Sequence, residues 1–263
     1  MERKFGTDLE CFPGCDISVE DSLKMIKEAG FDYVFCGKYE IGQVTEVKEK
    51  AVKAGLDVEF LHAPFRGVNN FWLAGLDYLP LKKTIIASID SAAENGIPAV
   101  VMHLDSGWDP PKISDIGLNR FDSLVEYADK KGVKIAFENI RNFGTIAAMV
   151  QRYRDVDAVG YCYDCGHEHC YTKTVHFTEL FGDKILCTHI HDNFGKDGRD
   201  DPDDHLLMFD GNIDYADMMK RLNAVGYEGP LTVEVEKSEP YSKLTNEEFI
   251  RNAYERIVKV SKM

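Results

Sequence analysis

Residues 133–164 read VKIAFENIRNFGTIAAMVQRYRDVDAVGYCYD. The two ends are short apolar runs, Val133–Glu138 and Ala158–Asp164, each closing on a carboxylate, and the stretch Thr145–Tyr153 between them repeats its apolar residues at helical spacing. Such a passage reads as strand, helix, strand, the unit from which parallel sheets are built.

The same unit recurs on both sides. Upstream, strands are predicted at Phe5–Leu9, Phe31–Cys36, Leu56–His62 and Ala99–Leu104. Between them fall a first helix capped by Ser18, with Asp21 three residues on, ending at Ala29-Gly30, then helices at Val44–Ala54, Asp77–Glu94 and Ser114–Lys131. Downstream come a helix near Thr174–Phe181, a strand at Ile185–Ile190, a helix at Tyr215–Ala224, a strand at Leu231–Val235 and a closing helix at Asn246–Val260. Eight strands alternating with eight helices predict an α/β chain folded as one (β/α)8 TIM barrel over residues 1–263. The two longest loops, 63–76 and 193–212, carry no linker composition, and the absence of a GxGxxG after the first strand argues against an open dinucleotide-binding sheet.

Composition narrows the function classes. The 45 acids outnumber the 31 bases, for a formal charge of −14, so the mean field repels polyanions and disfavours nucleic acid as a partner. The lysine clusters around 48–53 and 130–134 fall on expected helix surfaces. Seven cysteines without a paired spacing read as reduced thiols, and the chain lacks an apolar stretch of about 18 residues. A soluble, cytoplasmic protein is expected; whether it forms a homo-oligomer is left open.

In a barrel, the C-terminal ends of the strands form the active face. Here His62, His103, Glu138, Asp164, His189 and Glu234 end six consecutive strands. Side chains two apart share a face of a strand. In the fifth strand Val133, Ile135 and Phe137 then face the helices, leaving Ala136 and Glu138 inward. The eighth sends Leu231, Val233 and Val235 outward and Thr232, Glu234 and Glu236 inward, and the fourth places Val101, His103 and Asp105 inside. Carboxylates gathered in one mouth repel one another unless a cation sits among them. Two Glu, one Asp and one His suit a divalent ion, Mn or Mg by their oxygens, Zn or Co by the imidazole. The metal set read from the sequence is therefore Glu138, Asp164, His189 and Glu234.

The motifs His62-Ala-Pro-Phe65, Val101-Met-His103, Phe137-Glu138-Asn139, Tyr163-Asp164-Cys-Gly-His167, Thr188-His189-Ile-His191-Asp192-Asn193, Asp203-Asp204-His205 and Leu231-Thr-Val-Glu234, in this order, resemble the xylose-isomerase-like barrel superfamily. In its epimerase branch the resemblance implies one metal on the four residues above. Glu138 and Glu234 would also act as the catalytic acid and base of a sugar or sugar phosphate isomerase or epimerase, working through a metal-stabilised enediolate. His167 would bind a substrate oxygen. In its endonuclease IV branch the resemblance implies three zinc ions on His62, His103, Glu138, Asp164, His167, His189, Asp203, His205 and Glu234, and cleavage of abasic DNA. Against DNA stand the five aspartates of 197–204, beside the mouth, with only Lys196 and Arg199 to offset them. A small sugar is the expected partner, with His62, His103, His167 and His205 among its contacts.

Aromatic residues Phe65, Trp72 and Trp108 follow the third and fourth strands, where a ring can cover a sugar; Trp108 is the one assigned to substrate. His191 and Glu236 are expected to orient ligands. Cys165 is expected to be a buried structural thiol, and His169 and Cys170 match no closed zinc pattern. A barrel that only binds its metabolite has no need of two opposed proton-transfer groups.

Overall fold

Ser18 starts the first helix as its spacing predicts: its hydroxyl accepts from the Asp21 amide at 3.1 Å and donates to the Asp21 carboxylate at 2.7 Å. A left-handed Gly30, φ 119°, ends that helix. The computed structural model describes residues 3–172, 174–196 and 198–263; Asp197, counted above in the acidic stretch, lies outside them.

In chain order the elements are β1 (Phe5–Asp8), α1 (Val19–Ala29), β2 (Tyr33–Cys36), α2 (Ile41–Ala54), β3 (Asp57–His62), α3 (Leu79–Glu94), β4 (Ala99–Met102) and α4 (Asp115–Lys131). They continue with β5 (Lys134–Glu138), α5 (Phe143–Arg152), β6 (Val159–Asp164), α6 (Cys165–Tyr171), α7 (Phe177–Phe181), β7 (Ile185–His189), α8 (Tyr215–Ala224), β8 (Leu231–Val233) and α9 (Asn246–Val260). All strand pairs are parallel, in the order β7-β6-β5-β4-β3-β2-β1-β8. A parallel bridge from Ile190 to Val233 closes the ring. The expected barrel is present.

Side-chain alternation separates two layers of core. Ile135, Phe137, Val100, Met102, Leu231, Val233 and Val235 pack outward against the helices. Ala136, Val101, Phe35, Phe60, Cys162 and Cys187 fill the barrel interior. The inward and outward sets of strands β4, β5 and β8 are those read from the sequence.

Two departures bear on the site. Tyr171 closes a helix, α6, that was not expected, because the tract Cys165–Tyr171 lacks apolar periodicity. The helix forms because Asp164 caps it, accepting from the His167 amide at 2.6 Å. The helix expected from Thr174 consequently begins only at Phe177. Second, Val34 pairs with Val58 but Cys36 pairs with Leu61, so β3 carries one extra residue against β2. Between the outward-facing Val58 and Leu61, both Glu59 and Phe60 turn into the barrel. Strict alternation does not foresee a buried Glu59.

Candidate metal centre

Four strand ends converge on one point. One donor atom each from Glu138 (β5), Asp164 (β6), His189 (β7) and Glu234, just past β8, lies within 4.8 Å of the others. His62, His103 and Glu138 form a second such group, and His167, His191, Asp203 and His205 a third. Glu138 joins the first two. Its Oε2 lies 3.1 Å from His62 Nε2 and 2.9 Å from His103 Nε2, while its Oε1 lies 3.2 Å from His189 Nδ1.

His189 Nδ1 faces Glu138 Oε1 at 3.2 Å, Glu234 Oε2 at 3.2 Å and Asp164 Oδ2 at 3.7 Å. One ring nitrogen carries at most one proton and cannot serve three carboxylates. The other, Nε2, is buried without a partner, the ring lying 5.1 Å from Phe35 and 5.6 Å from Phe60 between centroids. A divalent cation at the common focus meets all four donors, and the donor set fits such an ion.

Charge compensation runs through the whole cluster. Burial pushes the Glu138 carboxyl up, but His189 and His103 outweigh it and hold the group well below its ordinary range. Glu234 is pushed up by burial and brought down to about 2 by His189 and His205. The counterpart shifts are upward: burial lowers His205, yet Asp203 and Glu234 raise it to about 10.

The sequence motif Asp164-Cys-Gly-His167 now has a physical reading. Asp164 is both donor and helix cap, which fixes His167 on the first turn of α6; His167 Nε2 lies 2.9 Å from Asp203 Oδ2. Asn139 locks Asp164 from behind, its side-chain amide donating to the Asp164 carbonyl and accepting from the Asp164 backbone N–H, both at 2.8 Å. His191 Nε2 sits 3.2 Å from each Asp164 oxygen, and its ring stacks on His205 at 4.1 Å. A Cβ on Gly166 would stand 2.0 Å from the His191 ring, so only glycine fits there. Cys165 is buried, its thiol donating to the His191 carbonyl at 3.5 Å. His205 adopts φ 45°, an uncommon conformation for a residue with a side chain, of the kind that collects at functional sites.

The mouth is a cavity of about 380 Å³, lined by His62, His103, His167, His205 and Glu236 among others. Phe65 also lines it, its ring stacked on His103 at 4.1 Å. Trp72 does not cover it. That side chain is buried among Phe71 and Phe121, and its Nε1 donates to the Leu104 carbonyl at 2.7 Å, so it belongs to the core. Trp108 stands at the rim, outside the cavity lining, donating to the Asp200 carbonyl at 2.8 Å. A cavity of about 430 Å³ at the opposite end of the barrel, which Tyr33 and Lys134 help to line, holds no donor group of this kind among the described residues.

Three acids went unassigned in the sequence. Asp8 ends β1 beside the cluster, and burial raises its pKa to about 7. Asp105, correctly placed inward by alternation, is fully buried at the cavity wall and raised by that burial. Glu59 hydrogen-bonds Thr232 beneath the centre, where burial raises it to about 7. The strand-end position of Asp8 was a usable signal; the bulge that turns Glu59 inward left none.

Comparison with known proteins agrees with this architecture. A protein of Sinorhizobium fredii, described as uncharacterized, is 29% identical, the match covering 83% of this chain and 81% of the relative. The crystal structure of a D-tagatose 3-epimerase-like protein superposes with a TM-score of 0.72 at 23% identity, over 99% of this chain and 100% of that one. That of 3-keto-D-glucoside 4-epimerase from E. coli gives 0.75 at 18% identity, covering 100% of both chains. The profile of the family described as xylose isomerase-like TIM barrel matches residues 23–257, and the chain belongs to that family.

Proposed function

We propose that the protein is a metal-dependent sugar, or sugar phosphate, isomerase or epimerase. The observation that carries the reading is the convergence of Glu138 and Glu234 on one imidazole nitrogen, each at 3.2 Å, from strands three places apart. Two ionised carboxylates so placed reach a bound ketose from different sides. A divalent ion on Glu138, Asp164, His189 and Glu234 would polarise the carbonyl and stabilise the enediolate charge. One glutamate takes the carbon-bound proton, and the electron pair moves onto the carbonyl oxygen. A proton returned to the same carbon from the other glutamate re-forms the carbonyl and gives the epimer; one returned to the former carbonyl carbon, with the neighbouring hydroxyl proton passing to the former carbonyl oxygen, gives the isomer. His167 would hold a substrate hydroxyl. The likeness in fold to a D-tagatose 3-epimerase-like protein and to 3-keto-D-glucoside 4-epimerase supports the reading.

The test is a panel of ketoses incubated with the protein and added Mn²⁺, Mg²⁺, Co²⁺ or Zn²⁺. Interconversion that disappears in Glu138→Gln and Glu234→Gln supports it, and no turnover with any metal overturns it.

One observation favours a second reading. All nine residues of the endonuclease IV-like set stand in three adjoining donor groups. A zinc phosphodiesterase acting on abasic DNA would bind three zinc ions per chain and cleave an abasic duplex. Asp200, Asp201 and Asp204, beside the mouth, oppose a phosphate backbone there.

A further inference from the structure

Arg141 is the only lysine or arginine among the described residues lining the mouth, in a wall that otherwise carries Asp105, Asp201, Asp203 and Glu236 beside the donor groups. Its guanidinium lies 4.5 Å over the ring of Tyr171 and 5.5 Å from that of Trp108. The Tyr171 ring in turn stacks on His167 at 5.4 Å. The guanidinium is thus one ring away from the donor cluster. Its Nε is buried without a partner, and Nη2 donates to Asp201 Oδ1 at 3.0 Å. The same oxygen accepts from the Tyr171 hydroxyl at 3.2 Å.

Fastening the loop between β7 and α8 does not account for this arrangement. Asp201 is 69% exposed, and an ion pair to so exposed a carboxylate contributes little. The loop is already held by Trp108 on the Asp200 carbonyl and by Asp192, which accepts from the Phe209 amide at 2.8 Å. What the pair Arg141 and Tyr171 offers is a two-donor seat for an anion, with a loop carboxylate resting in it.

We propose that Arg141 and Tyr171 are specificity-determining residues that bind the anionic group of an acidic sugar, a carboxylate or a phosphate, which displaces Asp201. This rests on the sugar reading above and narrows it: the substrate carries its chelating oxygens at one end and an anion at the other. A planar guanidinium with an adjoining hydroxyl matches either oxyanion.

Binding can be read from Trp108 fluorescence in the Mn²⁺-supplemented protein, with a Trp72→Phe background to isolate the signal. The probes are two pairs, D-ribulose against D-ribulose 5-phosphate and D-fructose against D-fructuronate. One acid is expected to bind at least 10-fold tighter than its neutral partner, and which pair shows it identifies phosphate or carboxylate. Arg141→Gln should abolish that preference, Arg141→Lys should restore part of it, and Tyr171→Phe should weaken it. Asp201→Asn is the decisive variant: removing the resident anion should tighten acid binding several-fold and leave neutral sugars unchanged, whereas a fastening role predicts looser binding of both. Equal affinity within both pairs, or weakening by Asp201→Asn, overturns the proposal. Turnover of neutral ketoses without an acid preference overturns it while the isomerase reading stands; acid preference without turnover of any sugar supports it and overturns that reading.

Discussion

Glu138 and His103 meet at 2.9 Å through Oε2 and Nε2, leaving Oε1 of the same carboxylate to His189 at 3.2 Å. The two oxygens therefore serve different groups, and substitutions should separate them. His103→Ala is expected to leave the four-donor centre loaded and to keep kcat/KM within about 10-fold, whereas Glu138→Gln should cost roughly 10²–10⁴-fold and lose the metal. Elemental analysis of purified variants, beside sugar turnover, checks this; equal metal loss in the two variants would contradict the division.

Chelation tests the centre through stability. An ion that binds only the folded chain adds stability by mass action. Stripping the protein with EDTA should lower the melting temperature by several degrees, since about 1 kcal/mol corresponds to roughly 2–4 °C at this size. Re-addition of Mn²⁺ or Zn²⁺ should restore it, and the Glu234→Gln variant should respond less. A melting curve indifferent to EDTA and to added metal would leave the four-donor centre without support.

Glu59, outside the donor groups, gives a pH signature set mainly by its burial. Its folded pKa, about 7, stands above the ordinary 4.5, because burial favours the neutral acid over the ion. Between these values the folded chain binds more protons than the unfolded one, so this group's contribution is favourable below pH 4.5 and is lost as pH rises to about 7. The loss is on the order of 3 kcal/mol. Glu59→Gln, neutral at every pH, should match the parent near pH 4.5 and exceed it at pH 8 in urea unfolding; a difference that does not grow with pH sinks the assignment.

Gly166→Ala brings a Cβ to 2.0 Å from the His191 ring. Overpacking of this kind costs about 1–3 kcal/mol and displaces the side chain that holds Asp164. Lower stability should come with weaker metal binding, measured on the same preparations. Substitution of Cys165 by Ala, a neighbour that leaves the ring free, should not weaken binding.

The two tryptophans should part company. Trp72→Ala removes a buried indole and its hydrogen bond to Leu104, at a cost of about 3–5 kcal/mol. Trp108→Ala, 52% exposed, should leave stability nearly unchanged and alter KM. Chemical unfolding and kinetics together decide it.

Much of the molecule was legible before any coordinates. Period-two alternation in β4, β5 and β8 put Val101, Ala136, Thr232 and Glu234 inside, because each of those strands runs without a register shift. The donor residues were legible for the same reason, being polar residues closing apolar runs. Legibility failed where a long-range constraint overrides local pattern. The bulge that turns Glu59 inward depends on pairing with β2, and α6 depends on a cap supplied by a strand-end aspartate. Arg141 lies in the loop after β5, Tyr171 at the end of α6 and Asp201 in the loop after β7, and nothing in their spacing brings them together. Trp72 shows the converse error, since a tryptophan in an active-face loop looks like a lid until its indole is found beneath Gly117, where a Cβ would stand 2.1 Å from the ring.

The helix α6, seven residues long, begins on Asp164 at the centre and ends on Tyr171 at the rim. It is the shortest rigid path between the reacting end of the cavity and the seat at its edge, with His167 midway and touching both. A shift of the capping carboxylate on cation binding would be passed along two helical turns to the phenol of the proposed seat. Metal loading and substrate selection would then be thermodynamically linked, and the coupling would act equally in both directions.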